Sequence, residues 1–135
     1  MDWKLEVVIL PVADVDRAKV FYQENAGFQL DVDHSAGDDF RIVQFTPPGS
    51  ACSVVLLRNP DTAGSVQGLQ LVVNDLDAAR AELASRGVAV SEPFHFDAGG
   101  QRPGPDPERR DYGSFLSFTD PDGNGWMVQE VPSRR

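Results

Sequence analysis

Cysteine is almost missing from this chain. Among 135 residues there is one, Cys52. No intrachain disulfide framework is possible, and its place in the largely apolar run 51–57 predicts a buried, inert thiol. Basic residues are also scarce: 12 Lys plus Arg stand against 21 Asp plus Glu, a net charge of −9. Such a surface repels phosphate backbones, so nucleic acid is not an expected partner. No apolar run approaches the roughly 18 residues of a membrane span. The opening Met1-Asp2-Trp3-Lys4-Leu5-Glu6 puts acids where a signal peptide needs positive charge. A soluble, cytoplasmic protein is therefore expected. No serine stands in a nucleophile elbow, no Cys–His pairing is visible, and no glycine-rich phosphate loop follows a strand.

What is present is enough to build a core. Apolar residues make up 41% and charged residues 24%, the balance of a globular chain. The length is that of one domain. The most informative feature is internal repetition. The stretch 8–18 aligns with 69–79 at an offset of 61, with apolar 8, 10 and 12 matching 69, 71 and 73, and acids 14 and 16 matching 75 and 77. Each copy reads as strand, turn, helix. Asp14 and Asp75 are placed to cap the helices, with Asp16 and Asp77 favoured by the dipole at that end. Val15, Ala18, Phe21 and Tyr22 form one apolar stripe, Leu76, Ala79 and Leu83 the other, and Gly27 and Gly87 stop the helices.

Three more strands follow each helix: 28–32, 40–46 and 52–58 in the first half, 88–96, 112–119 and 126–131 in the second. Pro47-Pro48-Gly49 and Asp120-Pro121-Asp122-Gly123-Asn124-Gly125 make the turns before the last strand of each half. The reading is α+β: a single domain over 1–135, with a βαβββ module at about 1–58, a linker at 59–67 and a second βαβββ module at about 68–135. Residues 97–111 read as a long polar loop of the kind a compact domain seldom keeps without use.

Three segments together carry a family resemblance. Leu-Pro-Val-x-Asp-x-Asp-x-Ala-x-x-Phe-Tyr at 10–22, Val-x-Asp-Leu-Asp at 73–77 and Phe-x-Asp-Pro-Asp-Gly-Asn at 118–124 resemble the vicinal oxygen chelate superfamily, the glyoxalase, bleomycin-resistance and extradiol dioxygenase group. The resemblance spans almost the whole chain. It implies two βαβββ modules forming a curved mixed sheet with a concave cup, helices on the convex face, and a homodimer. Enzymes of the group hold a divalent metal in the cup. Activity does not follow from the fold, which hosts many functions.

The resemblance also says where the metal ligands would lie. A His seven residues before each helix-opening Asp maps to Val7 and Gly68, a carboxylate three residues after the Asn of the turn maps to Met127, and the remaining ligand maps near Val55. Valine and glycine offer no donor, and a thioether suits hard or borderline divalent ions poorly. A one-residue slip in register would turn every side chain to the opposite face. It offers Glu6 and Gln67 instead, but puts Trp126 at the third place and brings Glu130 in four residues too far along. No metal site and no cofactor are expected on either register.

The expected ligand-binding residues follow from alternation along the strands. Val7, Ile9, Gln70, Met127 and Gln129 face the cup, joined by Val55 and Phe115. His95, between Phe94 and Phe96, either points a nitrogen into the cup or is a hydrogen-bonded, half-buried residue. Arg102, with Arg109, Arg110 and Tyr112, lies in or beside a proline-rich segment that is either a lid or a surface loop whose charges pair among themselves. His34 reads as solvated in a polar turn. The expected function is binding or sequestration of a small, partly aromatic molecule. The alternative is a lyase or dioxygenase of the same superfamily, acting through misregistered metal ligands or without metal through His95 and Tyr112.

Overall fold

A computed structural model describes residues 1–134. Among the described residues there are nine strands and two α-helices in a repeated order. The first half runs β1 (Val7–Val12), α1 (Val15–Val20), β2 (Gln29–Ala36), β3 (Phe40–Thr46) and β4 (Ser53–Arg58). The second runs β5 (Leu69–Val73), α2 (Leu76–Ser85), β6 (Phe94–Asp97), β7 (Gly100–Pro103), β8 (Ser114–Thr119) and β9 (Gly125–Glu130). The strands form two mixed sheets, in order β1-β4-β3-β2 and β5-β9-β8-β6-β7, with β1–β4 and β5–β9 parallel. This is the expected α+β architecture.

The chain forms two compact units, residues 1–66 with 120–124, and residues 67–119 with the chain from Gly125 onward. In the first unit Asp14 caps α1, its side chain accepting from the Arg17 amide, and Asp75 does the same for α2 through Ala78. After Val20 the first helix loosens into a π-helical turn over Phe21–Asn25. Tyr22 in that turn is fully buried, and Gly27 at φ 75° ends the segment as expected. Leu10, Val12, Val43, Phe45 and Leu56 are fully buried on the side of the first sheet that meets α1. Leu116, Trp126, Val128 and Leu76 fill the corresponding side of the second.

The sequence reading departs from the structure in four places. β2 runs on to Ala36, so His34 is an exposed strand residue and not part of a turn. An edge strand can carry this polar composition, because one side of its ladder faces water and its Asp33 pairs with Arg41 and Lys19. β6 begins at Phe94 and not at Val88, with Pro93 just before it. The polar segment after β6 is not a plain loop: Ala98-Gly99 turns the chain back as β7, which pairs with β6 from Phe94↔Pro103 to Asp97↔Gly100. Cys52 is half-buried, just before β4.

The loop from Gly104 to Gly113 is closed by its own hydrogen bonds. The buried Asp106 accepts from the amides of Glu108 and Arg110 and from the Arg110 guanidinium, while its own amide donates to Ser114 Oγ. The guanidinium and those amides hold the Asp106 carboxyl well below the usual carboxylate range.

Candidate functional site

Alternation sorts each sheet into a helix side and an open side. In the first unit Leu10 and Val12 are buried toward α1, so Val7, Ile9 and Pro11 take the open side. Ile9 is the register partner of Val55, which pairs in turn with Gln44. Ile9 is 54% exposed, and Val32 and Phe40 are exposed too. Two hydroxyls, Thr46 Oγ1 and Ser53 Oγ, meet at 2.6 Å, and Thr46 also donates to Asp31.

The open side of the second sheet is more distinctive. Register places Val72, Gln129, Phe115, Phe94 and Pro103 in one row across the five strands, with Gln70, Met127 and Ser117 in the next. Phe94 and Phe115 stack at 5.7 Å with an interplanar angle of 15°. Phe96 stands edge-on to both, at 5.8 and 5.4 Å, and is 53% exposed. Aromatic side chains normally bury their faces, so a partly exposed cluster rimmed by polar groups makes this side the candidate site. The rim is the amide pair: Gln70 donates to the side-chain oxygen of Gln129, whose Nε2 donates to the Tyr112 carbonyl at 3.0 Å. Met127 also lines a cleft of about 520 Å³, together with Gln67, Gly68, Ser117 and Trp126.

The other candidates lie elsewhere. His95 pairs in register with Arg102 and Ser114, on the side opposite Phe94 and Phe96. Its Nδ1 donates to the Gly104 carbonyl at 2.7 Å, which fixes the tautomer. Arg102 is bound to Asp97 at 3.0 Å. Arg109 reaches Asp77 at 3.0 Å and the buried Glu130 at 3.2 Å, and Arg110 reaches Asp106 at 3.0 Å. Each of the three arginines is thus held by a carboxylate. Tyr112 is half-exposed with a left-handed backbone, φ 66°, and its hydroxyl accepts from Arg134. The sequence reading passed over Phe94 and Phe96 as site residues. Their signal was the Phe-His-Phe alternation, which puts both rings on one side of a strand.

The four places to which the family resemblance assigns metal ligands hold Val7, Val55, Gly68 and Met127. Val7 and Val55 are on the open side of the first sheet, Met127 is on that of the second, and Gly68 lies two residues before Gln70. Alkyl groups, a bare backbone and a thioether do not fit a hard or borderline divalent ion. The slipped register is not adopted: Glu130 lies on the helix side, where Oε2 accepts from the Leu76 amide at the start of α2. Among the described residues no group of three or more His, Cys, Asp or Glu side chains is placed to hold a metal ion.

Comparison with known proteins places this architecture. Residues 4–128 match the family model described as the Glyoxalase/Bleomycin resistance protein/Dioxygenase superfamily. The crystal structure of TnmS3, an antibiotic binding protein from Streptomyces sp. CB03234, is 34% identical with a TM-score of 0.74, covering 96% of this chain and 97% of that one. A glyoxalase/bleomycin resistance protein from the same Streptomyces strain is 35% identical with a TM-score of 0.71, covering 94% of this chain and all of the other. The uncharacterized protein YetH of Bacillus subtilis strain 168 is 24% identical over 130 residues, 94% of this chain and 98% of YetH. The chain belongs to the glyoxalase/bleomycin resistance protein/dioxygenase superfamily.

Proposed function

We propose that this protein binds and sequesters a small, partly aromatic molecule without transforming it, using no metal, and that its two modules act as one domain. The observation that carries the reading is the Phe94–Phe96–Phe115 cluster, half-buried at Phe94 and Phe115 and exposed at Phe96, bordered by the Gln70–Gln129 amide pair. Similarity to TnmS3, an antibiotic binding protein, supports it. So does the donor-poor set Val7, Val55, Gly68 and Met127, which leaves the reaction chemistry of the superfamily's metal enzymes without ligands. A flat ligand gains roughly 25 cal/mol per Å² of apolar surface buried against the rings. The net charge of −9 raises the local concentration of cations, so neutral and cationic aromatics are favoured over anions at low salt. The protein acts in the cytoplasm as a homodimer.

The test is calorimetry with matched cationic, neutral and anionic bicyclic aromatics at low and moderate salt, with mass spectrometry of each compound after incubation. Binding of the neutral and cationic members is expected, with recovery unchanged. Phe115→Ala should weaken it about tenfold, the equivalent of ~1.4 kcal/mol for the lost ring contacts. Met127→Glu should weaken it too, by placing a carboxylate beside the rings. Preferential binding of anions, or turnover of a bound compound, would overturn the reading in favour of an enzyme.

A further inference from the structure

The two amides on the open side of the second sheet do not have a free choice of orientation. The chain that fixes them starts in the backbone. Tyr112 sits at φ 66°, in the left-handed region that a bulky side chain seldom takes. Its amide donates to the Glu130 carbonyl at 2.8 Å, which leaves only its own carbonyl to face Gln129. The loop that holds it there is pinned from several sides. Arg109, itself at φ 47°, ties it to Asp77 and Glu130, and Asp111 accepts from the Ser133 amide and hydroxyl at 3.0 and 2.6 Å.

A carbonyl oxygen can only accept. Gln129 must therefore turn its nitrogen toward Tyr112, at 3.0 Å, and its oxygen away. That oxygen meets Gln70, which must in turn supply its own nitrogen. The sense of both amides is thus dictated by one backbone carbonyl, and the relay leaves Gln70 Oε1 as the acceptor at its outer end. Gln70 is exposed, on edge strand β5, whereas Gln129 is half-buried beside Phe115 in the same register row. Neighbouring strands are spaced by about 4.8 Å, so Gln70 and Phe115, two strands apart, stand about 10 Å from each other, the span of a fused aromatic ring system with one polar substituent and its hydrogen bond.

We infer that the Tyr112 carbonyl, acting through Gln129, sets Gln70 Oε1 as a hydrogen-bond acceptor that selects aromatic ligands carrying a hydroxyl or N–H donor. This rests on the binding face proposed above and adds the polarity of its ligand. Phe94, Phe96 and Phe115 supply affinity for any flat ring. Gln70 discriminates among rings by their substituent, and Gln129 is a positioning residue that touches ligand only through Gln70. A ligand whose substituent can only accept leaves Gln70 Oε1 desolvated and unpaired, and that penalty is the source of the selection.

The experiment is titration calorimetry of the full chain with 2-naphthol and its methyl ether, 2-methoxynaphthalene, which share the ring system and differ in the donor. The wild-type protein should bind 2-naphthol about tenfold tighter than the ether. Gln70→Ala should remove that preference, weakening naphthol and relieving the penalty on the ether. Gln129→Ala frees the Gln70 amide to rotate and should bring the ratio of the two affinities near one. A merely structural role for Gln129 would weaken both probes in proportion and keep the ratio. Phe115→Ala should weaken both compounds and keep the ratio. Equal binding of the two probes by the wild type, with both still sensitive to Phe115→Ala, would overturn the polarity relay and leave the aromatic binding face standing. Binding of neither probe, or indifference of both to Phe115→Ala, would overturn the binding face and the relay with it.

Discussion

Tyr22 Oη donates to Asp120 Oδ2 at 2.7 Å, joining two fully or nearly buried side chains 98 residues apart in the chain. Asp120 belongs to the Asp-Pro-Asp-Gly-Asn turn, and Asn124 of that turn also donates to Asp120 and to the Pro11 carbonyl while accepting from the Val66 amide. Asp122 receives the Ala13 amide and the Arg17 guanidinium, both at 3.1 Å. The motif that carries the family resemblance is therefore a hydrogen-bonded knot at the end of β1 and the start of α1. Tyr22→Phe leaves the buried Asp120 carboxylate short of a donor and should cost about 1.5–3 kcal/mol. Urea unfolding of the two proteins checks it, and a loss below ~0.5 kcal/mol would show that Asp120 is satisfied without Tyr22.

Acid should weaken the fold through two aspartates. The Asp33 carboxyl is held well below its ordinary value, first by hydrogen bonds from Arg41 and then by one from Lys19, and Asp106 is held low by Arg110 and the loop amides. Carboxyl pKa values depressed in the folded state contribute stability that is fully present above the unfolded value, about 4, and is lost as pH falls toward the folded value. Stability should be level from neutral pH down to about 5 on this account and decline below about 4. Asp106→Asn should flatten the decline. Urea midpoints across that range, in wild type and variant, provide the check.

Purified protein should carry no stoichiometric divalent metal. The reason is the donor set, with Val7, Val55, Gly68 and Met127 at the family ligand places. Elemental analysis after dialysis tests this. One equivalent of zinc, iron, nickel or manganese, lost on changing Glu6, would reverse the assignment.

The protein should be a homodimer in solution. β1 and β2 are the edges of one sheet and β5 and β7 those of the other, and sheet edges are where a two-fold partner can pair. Light scattering at micromolar concentration should give twice the 14.7 kDa of one chain. A mass of one chain would contradict the expectation.

Much of the fold was legible in the sequence because its signals are local. Alternation of apolar residues defined β1 and β5, aspartates at 14 and 75 marked both helix starts, and Gly27 and Gly87 marked the ends, each through backbone chemistry that a few neighbouring residues decide. The same alternation put Gln70, Met127, Gln129 and Phe115 on one side of a sheet. Non-local pairing was beyond it. The β6–β7 hairpin forms because Gly99 and Gly100 permit a tight turn and β6 offers a partner edge, and the pairing of β6 with β8 sets Phe94 and Phe96 beside Phe115 while His95 and Arg102 lie on the other side. β2 extends through polar residues because β3 supplies its ladder. The sense of the Gln70 and Gln129 amides is decided further away still. It depends on a left-handed Tyr112 held by contacts with Glu130, Asp77 and Ser133, and a hydrogen-bond direction of that kind exists only once the chain has closed on itself.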